Sequence, residues 1–399
     1  MVYLSTALSL NKTIVKIMTT RLRKFIFIFI FFSINSQSLL AESLIVPAAP
    51  KIKASSYLVM DFNSGKLLVE ENSELRLPPA SLTKMMTVYV VSSELVNGKI
   101  SLDDEVLVSE KAWRTQGSRM FIEVDKKVKL DDLLHGVIIQ SGNDASVALA
   151  EYVSGTEEVF ADLMNKHAQR LGMHDTHYVN STGLPDENHY TTARDLAKLA
   201  QAMIKDFPGE YKLYKVKEFT FNKIKQHNRN KLLWRDHSVD GIKTGHTEEA
   251  GYCLVASAVK NGMRLISVVM GTDGVNARAK ASQVLLNYGY RFFETHKLYS
   301  AGELITSVKI WKADVDVLNL GIKADIYVTV ARGQYDKLEP VVELDQQVIA
   351  PINEGEQKGT LNVTLLGENV FSVPLLALET ISEGSIVNRL KDEVRLLFE

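Results

Sequence analysis

The 399-residue chain has one cysteine, Cys253. That excludes an intramolecular disulfide framework and any metal site built from several thiolates. Its nine histidines contain no His-Glu-x-x-His, and no Gly-x-Ser-x-Gly occurs, which argues against a zinc protease and an α/β-hydrolase. An excess of one charge is also missing. The 46 basic and 48 acidic residues give a formal charge of −2, so no basic field points to nucleic acid. Nor does any apolar run reach the ~20 residues that a membrane-spanning helix takes. No repeat or low-complexity tract is present. What remains is ordinary globular composition, 46% hydrophobic and 24% charged, in a length suited to two or three domains.

Charge is unevenly placed. Residues 1–41 hold Lys12, Lys16, Arg21, Arg23 and Lys24 and no acidic residue; without them the chain has 41 basic against 48 acidic residues, or −7. Arg21 to Lys24 precede the apolar run Phe25 to Phe32, followed by polar residues and Ala41. This order predicts a secretory signal over 1–41, with Met18 as the more economical start and an uncleaved N-terminal anchor as the other reading. Either places the protein outside the cytoplasm.

The pattern beyond residue 45 predicts two folded parts. Ser56–Asp61 and Lys66–Glu70 flank Asn63-Ser64-Gly65 as a β-hairpin. Helical spacing follows over Leu82–Val96, Asp131–Ile139, Asp144–Val153 (Ala148, Leu149 and Tyr152 on one side) and Ala277–Phe293. Thr192-Ala-Arg-Asp195 resembles a capping box opening another helix. Gly251–Ala258 and Arg264–Met270 are continuous apolar runs of strand length. The expectation is an α/β (α+β) domain over 45–298. From 300 to 378 apolar residues alternate, as at Ile326, Val328 and Val330, and turn residues cluster, so a small all-β domain is expected. Residues 385–399 form an amphipathic helix, with Ile386, Val387, Leu390, Val394, Leu397 and Phe398 on one face. Two readings stay open for it: a helix docked on its own β domain, or one lying in a membrane interface. Its polar face balances Arg389, Lys391 and Arg395 against Asp392, Glu393 and Glu399, so attraction to anionic lipid would be weak.

Chemistry is carried by three short motifs in order: Ser81-Leu-Thr-Lys84, Ser141-Gly-Asn143 and Lys243-Thr-Gly245. Alone, each reads as a helix cap or a turn, and Ser9-Leu-Asn-Lys12 also fits the first pattern. Their order, their spacing of about 60 and then 100 residues, and their context distinguish them; the triple marks serine β-lactamases and penicillin-binding proteins. Ser81 and Lys84 lie one helical turn apart, on one face. A serine hydroxyl needs a base within hydrogen-bond reach, and Lys84 can be that base only when neutral. Burial and a second ammonium from Lys243 would both lower its pKa. The start of a helix beside Ser81 would favour an oxyanion. Cys253, in an apolar run, reads as a buried core thiol.

The chain resembles the D-alanyl-D-alanine carboxypeptidases, low-molecular-mass penicillin-binding proteins with a C-terminal β domain and an amphipathic anchor. Longer stretches carry the resemblance: Pro79–Lys84, Ser141–Ala145, Asn180–Leu184, Thr191–Leu196, Asn228–Asn230 and Asp240–Thr247. It implies a serine β-lactamase/D,D-peptidase-like catalytic fold and an acyl-enzyme on Ser81 formed from the penultimate D-alanine of a peptidoglycan stem peptide. Lys84 would take the serine proton and Ser141 would relay one to the leaving amine. Asn143 would hold the substrate amide. Lys243, Thr244 and Arg229 would hold its carboxylate. Gly245 belongs to the same substrate-binding strand, and the backbone N–H groups of His246 and Ser81 would form an oxyanion hole. The resemblance implies no metal or cofactor, inhibition by β-lactams, and a place on the periplasmic face of the cytoplasmic membrane.

Two other readings compete. A class A type β-lactamase needs a glutamate that activates the deacylating water, and no Glu-x-x-Leu-Asn occurs between Asn143 and Lys243. A non-catalytic peptidoglycan-binding scaffold would not need the catalytic residue types, all of which are present.

Overall fold

The computed structural model describes residues 46–398 apart from Gln346. The leader predicted over 1–41 lies outside the described residues. Five antiparallel strands form the first sheet: β1 (Ser56–Asp61), β2 (Leu67–Glu71), β3 (Val239–Thr247), β4 (Gly251–Lys260) and β5 (Met263–Thr272), in the order β2-β1-β5-β4-β3. Register runs Ser56↔Met270 between β1 and β5, Val255↔Val268 between β4 and β5, and Lys243↔Val255 between β3 and β4. Successive side chains of a strand point to opposite faces. Leu58 and Met60 therefore enter one core, Tyr57 and Val59 the other. Strand β4 divides in the same way, with Cys253 and Val255 against Leu254 and Ala256. Both faces are covered, which is why β4 and β5 read as unbroken apolar runs rather than alternating ones.

Helices supply the cover. On one side are α1 (Lys84–Val96), α2 (Asn143–Ser154), α3 (Glu157–Arg170) and α4 (Ala193–Asp206), with Leu196, Leu199 and Met203 buried in the same core as Val268. On the other, α5 (Val275–Phe292) packs Leu285 and Leu286 against Leu254 and Leu265. Local chemistry fits each start. Thr192 caps α4 by accepting the Asp195 N–H, and Thr156 caps α3 by accepting that of Val159. The reciprocal half of the predicted capping box is absent: Asp195 Oδ2 accepts instead from Asp175 N at 3.0 Å and Thr176 Oγ1 at 2.9 Å. Tyr152 of α2, expected beside Ala148 and Leu149, is exposed and donates to Asp104 at 2.8 Å; its hydroxyl finds that partner only at the surface.

The second part is all β. Strands β6 (Phe293–Tyr299) and β9 (Ile326–Ala331) pair as a ribbon. Strands β7 (Leu304–Lys309), β8 (Val317–Gly321), β10 (Leu338–Leu344), β11 (Gln357–Leu365) and β12 (Glu368–Ala377) form a sheet ordered β7-β8-β12-β11-β10. Its core includes Leu318, Leu320, Ile326, Leu361 and Leu375. The turn between β1 and β2 hooks onto the ribbon: buried Asp61 accepts from Ser64 N at 2.8 Å and from Thr295 Oγ1 at 2.7 Å, and Lys66 donates to the Thr329 carbonyl at 3.0 Å.

The last helix, α6 (Ile386–Leu396), touches the β domain through its polar side. Asp392 Oδ2 accepts the Lys312 N–H at 2.8 Å, Asn388 Nδ2 donates to Asp314 at 2.9 Å, and Lys312 pairs with Glu393. The apolar residues face outward; Ile386 is 74% and Leu397 79% exposed. The helix is therefore not docked by its apolar face. Among the described residues no helix is long and apolar enough to cross a membrane.

Because α5 closes the second core, Leu285→Ala, at a fully buried position, should cost about 2–5 kcal/mol of stability in urea unfolding. A loss below about 0.5 kcal/mol would show that this helix does not seal the sheet.

Candidate active site

Ser81 sits on a tight 3₁₀ turn, Ala80–Thr83, immediately before α1. Sequence spacing suggested the α-helix itself. Ala80 has φ +48, a left-handed conformation, and the Leu82 N–H bonds back to the Pro79 carbonyl at 3.1 Å, so the chain tightens before the helix proper begins at Lys84. The outcome for the pair is as expected: Lys84 Nζ lies 3.2 Å from Ser81 Oγ.

Lys84 is fully buried. Its Nζ also meets two carbonyl oxygens, Asn143 Oδ1 at 2.7 Å and the Thr182 main chain at 2.6 Å. Burial is the largest influence on its pKa and the charge of Arg229 the next; Asp144 and Glu157 pull the other way, and the amine comes down to about 7. Lys243, also buried, is pushed well below its ordinary value by burial first, then by Lys84, Arg229 and Arg278. Two amines so placed titrate as a pair.

Lys243, Thr244, Gly245 and His246 lie on β3, an edge strand of the sheet, and not in a surface turn. The strand runs against the serine turn: a Cβ on Gly245 would come within 2.9 Å of the Pro79 carbonyl, so close approach requires glycine there. Lys243 Nζ donates to Ser141 Oγ at 2.9 Å. Ser141 has φ +67 and ends a π-helical turn, Gly136–Gln140, which aims its hydroxyl inward. Asn143 opens α2. Its carbonyl oxygen holds Lys84, and its Nδ2 donates to the Gln116 carbonyl at 2.5 Å, so both ends of the amide are engaged within the protein.

These residues surround a cleft of about 350 Å³ lined by Ser81, Ser118, Ser141, Arg229, Lys231, Thr244, Gly245, His246, Tyr252, Val275 and Arg278. None of those lining residues is acidic. Arg229 stands exposed in the lining, and the His246 ring stacks on Tyr252 with centroids 3.9 Å apart. All nine residues singled out from sequence are thus gathered at one place, six lining the cleft and Lys84, Asn143 and Lys243 buried beside it.

Several contributors carried no readable signal. The Thr182 carbonyl is a backbone group. Gly183 beside it has φ +81, and a Cβ there would fall 1.8 Å from the Ala80 carbonyl, so the Asn180–Leu184 loop can meet the serine turn only through glycine. Asp144, fully buried, accepts from the N–H groups of Met120, Phe121 and Ile122, fixing the loop that carries Ser118. Arg278 donates to the Gly245 carbonyl at 2.8 Å and braces β3 from α5. Cys253 is a core thiol, fully buried and raised by burial to about 11.

Comparison with known proteins fits this geometry. A family model described as D-alanyl-D-alanine carboxypeptidase matches residues 44–274, and one described as penicillin-binding protein 5, C-terminal domain, matches 293–383. The D-alanyl-D-alanine carboxypeptidase DacA of Escherichia coli is 42% identical over 361 residues, covering 88% of this chain and 90% of the relative. DacC of the same organism is 44% identical over 358 residues, again covering 88% and 90%. The crystal structure of penicillin-binding protein 5 from Haemophilus influenzae superposes with a TM-score of 0.83 at 43% identity, over 84% of this chain and all of that one. With the catalytic-domain model spanning more than half of the sequence and relatives of this identity aligned along most of it, the chain belongs to the D-alanyl-D-alanine carboxypeptidase family.

Proposed function

We propose that this protein is a serine D,D-carboxypeptidase that removes the terminal D-alanine from peptidoglycan stem peptides through an acyl-enzyme on Ser81, and that β-lactams inhibit it by acylating the same oxygen. One observation carries the reading: the partners of the Lys84 amine. A neutral amine has two N–H bonds and one lone pair. The two short contacts go to carbonyl oxygens, which can only accept, so they take both N–H bonds. The lone pair is left facing the Ser81 hydroxyl, where it can receive the proton.

The remaining steps follow from the cleft. Thr244, Lys243 and Arg229 receive the substrate carboxylate; that anion favours a protonated Lys243 and offsets the repulsion in the pair. Ser81 Oγ attacks the penultimate carbonyl while Lys84 takes its proton. The N–H groups of Ser81 and His246 stabilise the oxyanion, a reading that the close approach of Gly245 to the Pro79 carbonyl supports. Ser141, bonded to Lys243, passes a proton to the leaving nitrogen, D-alanine departs, and water then cleaves the ester. Asn143, expected to hold the substrate amide, also holds Lys84 through Oδ1.

A lactamase reading finds less support. The carboxylates whose charge reaches Lys84, Asp144 and Glu157, are occupied by backbone and Ser181 donors, and no acidic residue is among those lining the cleft. The basic leader and the outward apolar face of α6 support action outside the cytoplasm, at the outer face of the cytoplasmic membrane. The catalytic part over 45–298 and the β part over 300–378 then read as enzyme and spacer, with the helix of 385–399 as anchor.

Incubation with a penicillin followed by mass spectrometry should show one adduct on Ser81 that Ser81→Ala abolishes; an adduct surviving in that variant would refute the assignment. The acylation rate should rise about tenfold per pH unit below about 7 and level off above it, because the reactive form of Lys84 is the unprotonated one. A rate still climbing through pH 10 would contradict a lowered amine. Deletion of residues 385–399 should release an active soluble enzyme from membranes, and a truncated form that still sediments with them would contradict the anchor.

A further inference from the structure

Glu157, the first residue of α3, is a buried carboxylate that the proposed mechanism does not use. Its Oε1 accepts from the Ser181 N–H at 3.0 Å and from Ser181 Oγ at 2.8 Å. The Ser181 carbonyl in turn accepts from Thr87 Oγ1 of α1 at 2.7 Å. Ser181 is therefore held at its N–H, its hydroxyl and its carbonyl, and the next carbonyl along the chain is that of Thr182, 2.6 Å from Lys84 Nζ.

We propose that Glu157 is a positioning residue for acylation: it holds Ser181 so that the Thr182 carbonyl takes one of the two N–H bonds of Lys84 and the lone pair stays on Ser81. A carbonyl displaced by an ångström would free the amine to rotate and would weaken proton transfer. The carboxylate does a second thing. It is a negative charge near an amine that must become neutral, so it favours the protonated form of Lys84. Geometry and charge thus act in opposite directions on the rate at low pH, which allows them to be separated.

The surroundings define the charges in play. Glu157 Oε2 faces Lys111 Nζ at 3.1 Å, and Lys111 also meets Glu158 at 2.9 Å. Around Lys84 stand Lys243 from β3, Arg229, Asp144 from α2, and His189, which bonds Thr83 at 2.8 Å and is held to about 4, thus neutral, by burial. In Glu157→Gln the carbonyl oxygen can still accept both Ser181 donors, while half-exposed Lys111 can turn to Glu158 or to solvent. This variant removes the charge and keeps the scaffold. Glu157→Leu removes both.

The proposal rests on the acyl-enzyme reading above, and the test separates their failures. Second-order acylation by a fluorescent penicillin is measured from pH 5 to 9 for the full-length wild type, Glu157→Gln, Glu157→Leu and Ser181→Ala, with thermal unfolding of each. Wild type that is not acylated on Ser81 refutes the parent reading. Given acylation, Glu157→Gln should keep its pH 9 rate within about threefold and move its acid limb to lower pH, making it about two- to threefold faster at pH 6 relative to its own plateau. Glu157→Leu should lose about tenfold or more at the plateau, and Ser181→Ala should show a smaller plateau loss with no shift of the limb. Should Glu157→Leu fail to fold, the paired behaviour of Glu157→Gln and Ser181→Ala decides. An unmoved acid limb in Glu157→Gln, or a wild-type plateau in a folded Glu157→Leu, would overturn the assignment.

Discussion

Everything at this site depends on keeping an amine in a place where its proton is not welcome. Lys84 is buried without a carboxylate bonded to it, in the field of Arg229 and beside a second buried lysine. Isolated charges in such surroundings are costly, and burial brings the pKa of the amine down to about 7, within reach of the neutral form. The chain then supplies two carbonyl oxygens that hold the amine, and its third contact is Ser81 Oγ, toward which the lone pair of a neutral amine would point.

The rest of the architecture is arranged around that point. The sheet provides a rigid edge, β3, whose Gly245 lets it lie against the serine turn. The π-helical turn throws Ser141 inward to meet Lys243. Helix α2 begins at Asn143 and carries Asp144, which ties down the loop bearing Ser118. The Asn180–Leu184 loop closes the far side, and Gly183 is the residue that makes the approach possible. The candidate catalytic groups come from four separate segments, so their geometry is set by the packing of both cores and not by any one helix or loop.

Legibility in the sequence follows from whether a feature is local. The apolar runs at Gly251–Ala258 and Arg264–Met270 announced buried strands, and the alternation around Ile326 announced the β domain. The order β2-β1-β5-β4-β3 was hidden, because it pairs Ser56 with Met270 across more than 200 residues. Ser81, Lys84, Ser141, Asn143, Lys243, Thr244 and Gly245 could be named because their types and spacing form motifs, and His246 and Arg229 because of the family resemblance. What acts through another group left no such mark: the Thr182 carbonyl has no side-chain identity, and Asp144, Glu157 and Arg278 serve through backbone contacts. The contact of Asn143 Oδ1 with Lys84 was hidden for a related reason, since it depends on how the fold brings α2 beside α1. The start of α1 was misplaced because a 3₁₀ turn and an α-helix share a three-residue spacing. For α6, periodicity left two readings, and the outward apolar face excludes docking by that face.

The protonation of one nitrogen decides whether Ser81 can be activated. Proteins labelled with ¹⁵N-lysine, compared as wild type and Lys84→Arg, would identify the Lys84 Nζ resonance, and its chemical shift can be followed from pH 5 to 11. A midpoint near 7 is the expected result, with the neighbouring Lys243 resonance moving in the same titration. A Lys84 midpoint near the ordinary lysine value of 10.5 would mean that the amine is charged at working pH and cannot accept the proton of Ser81.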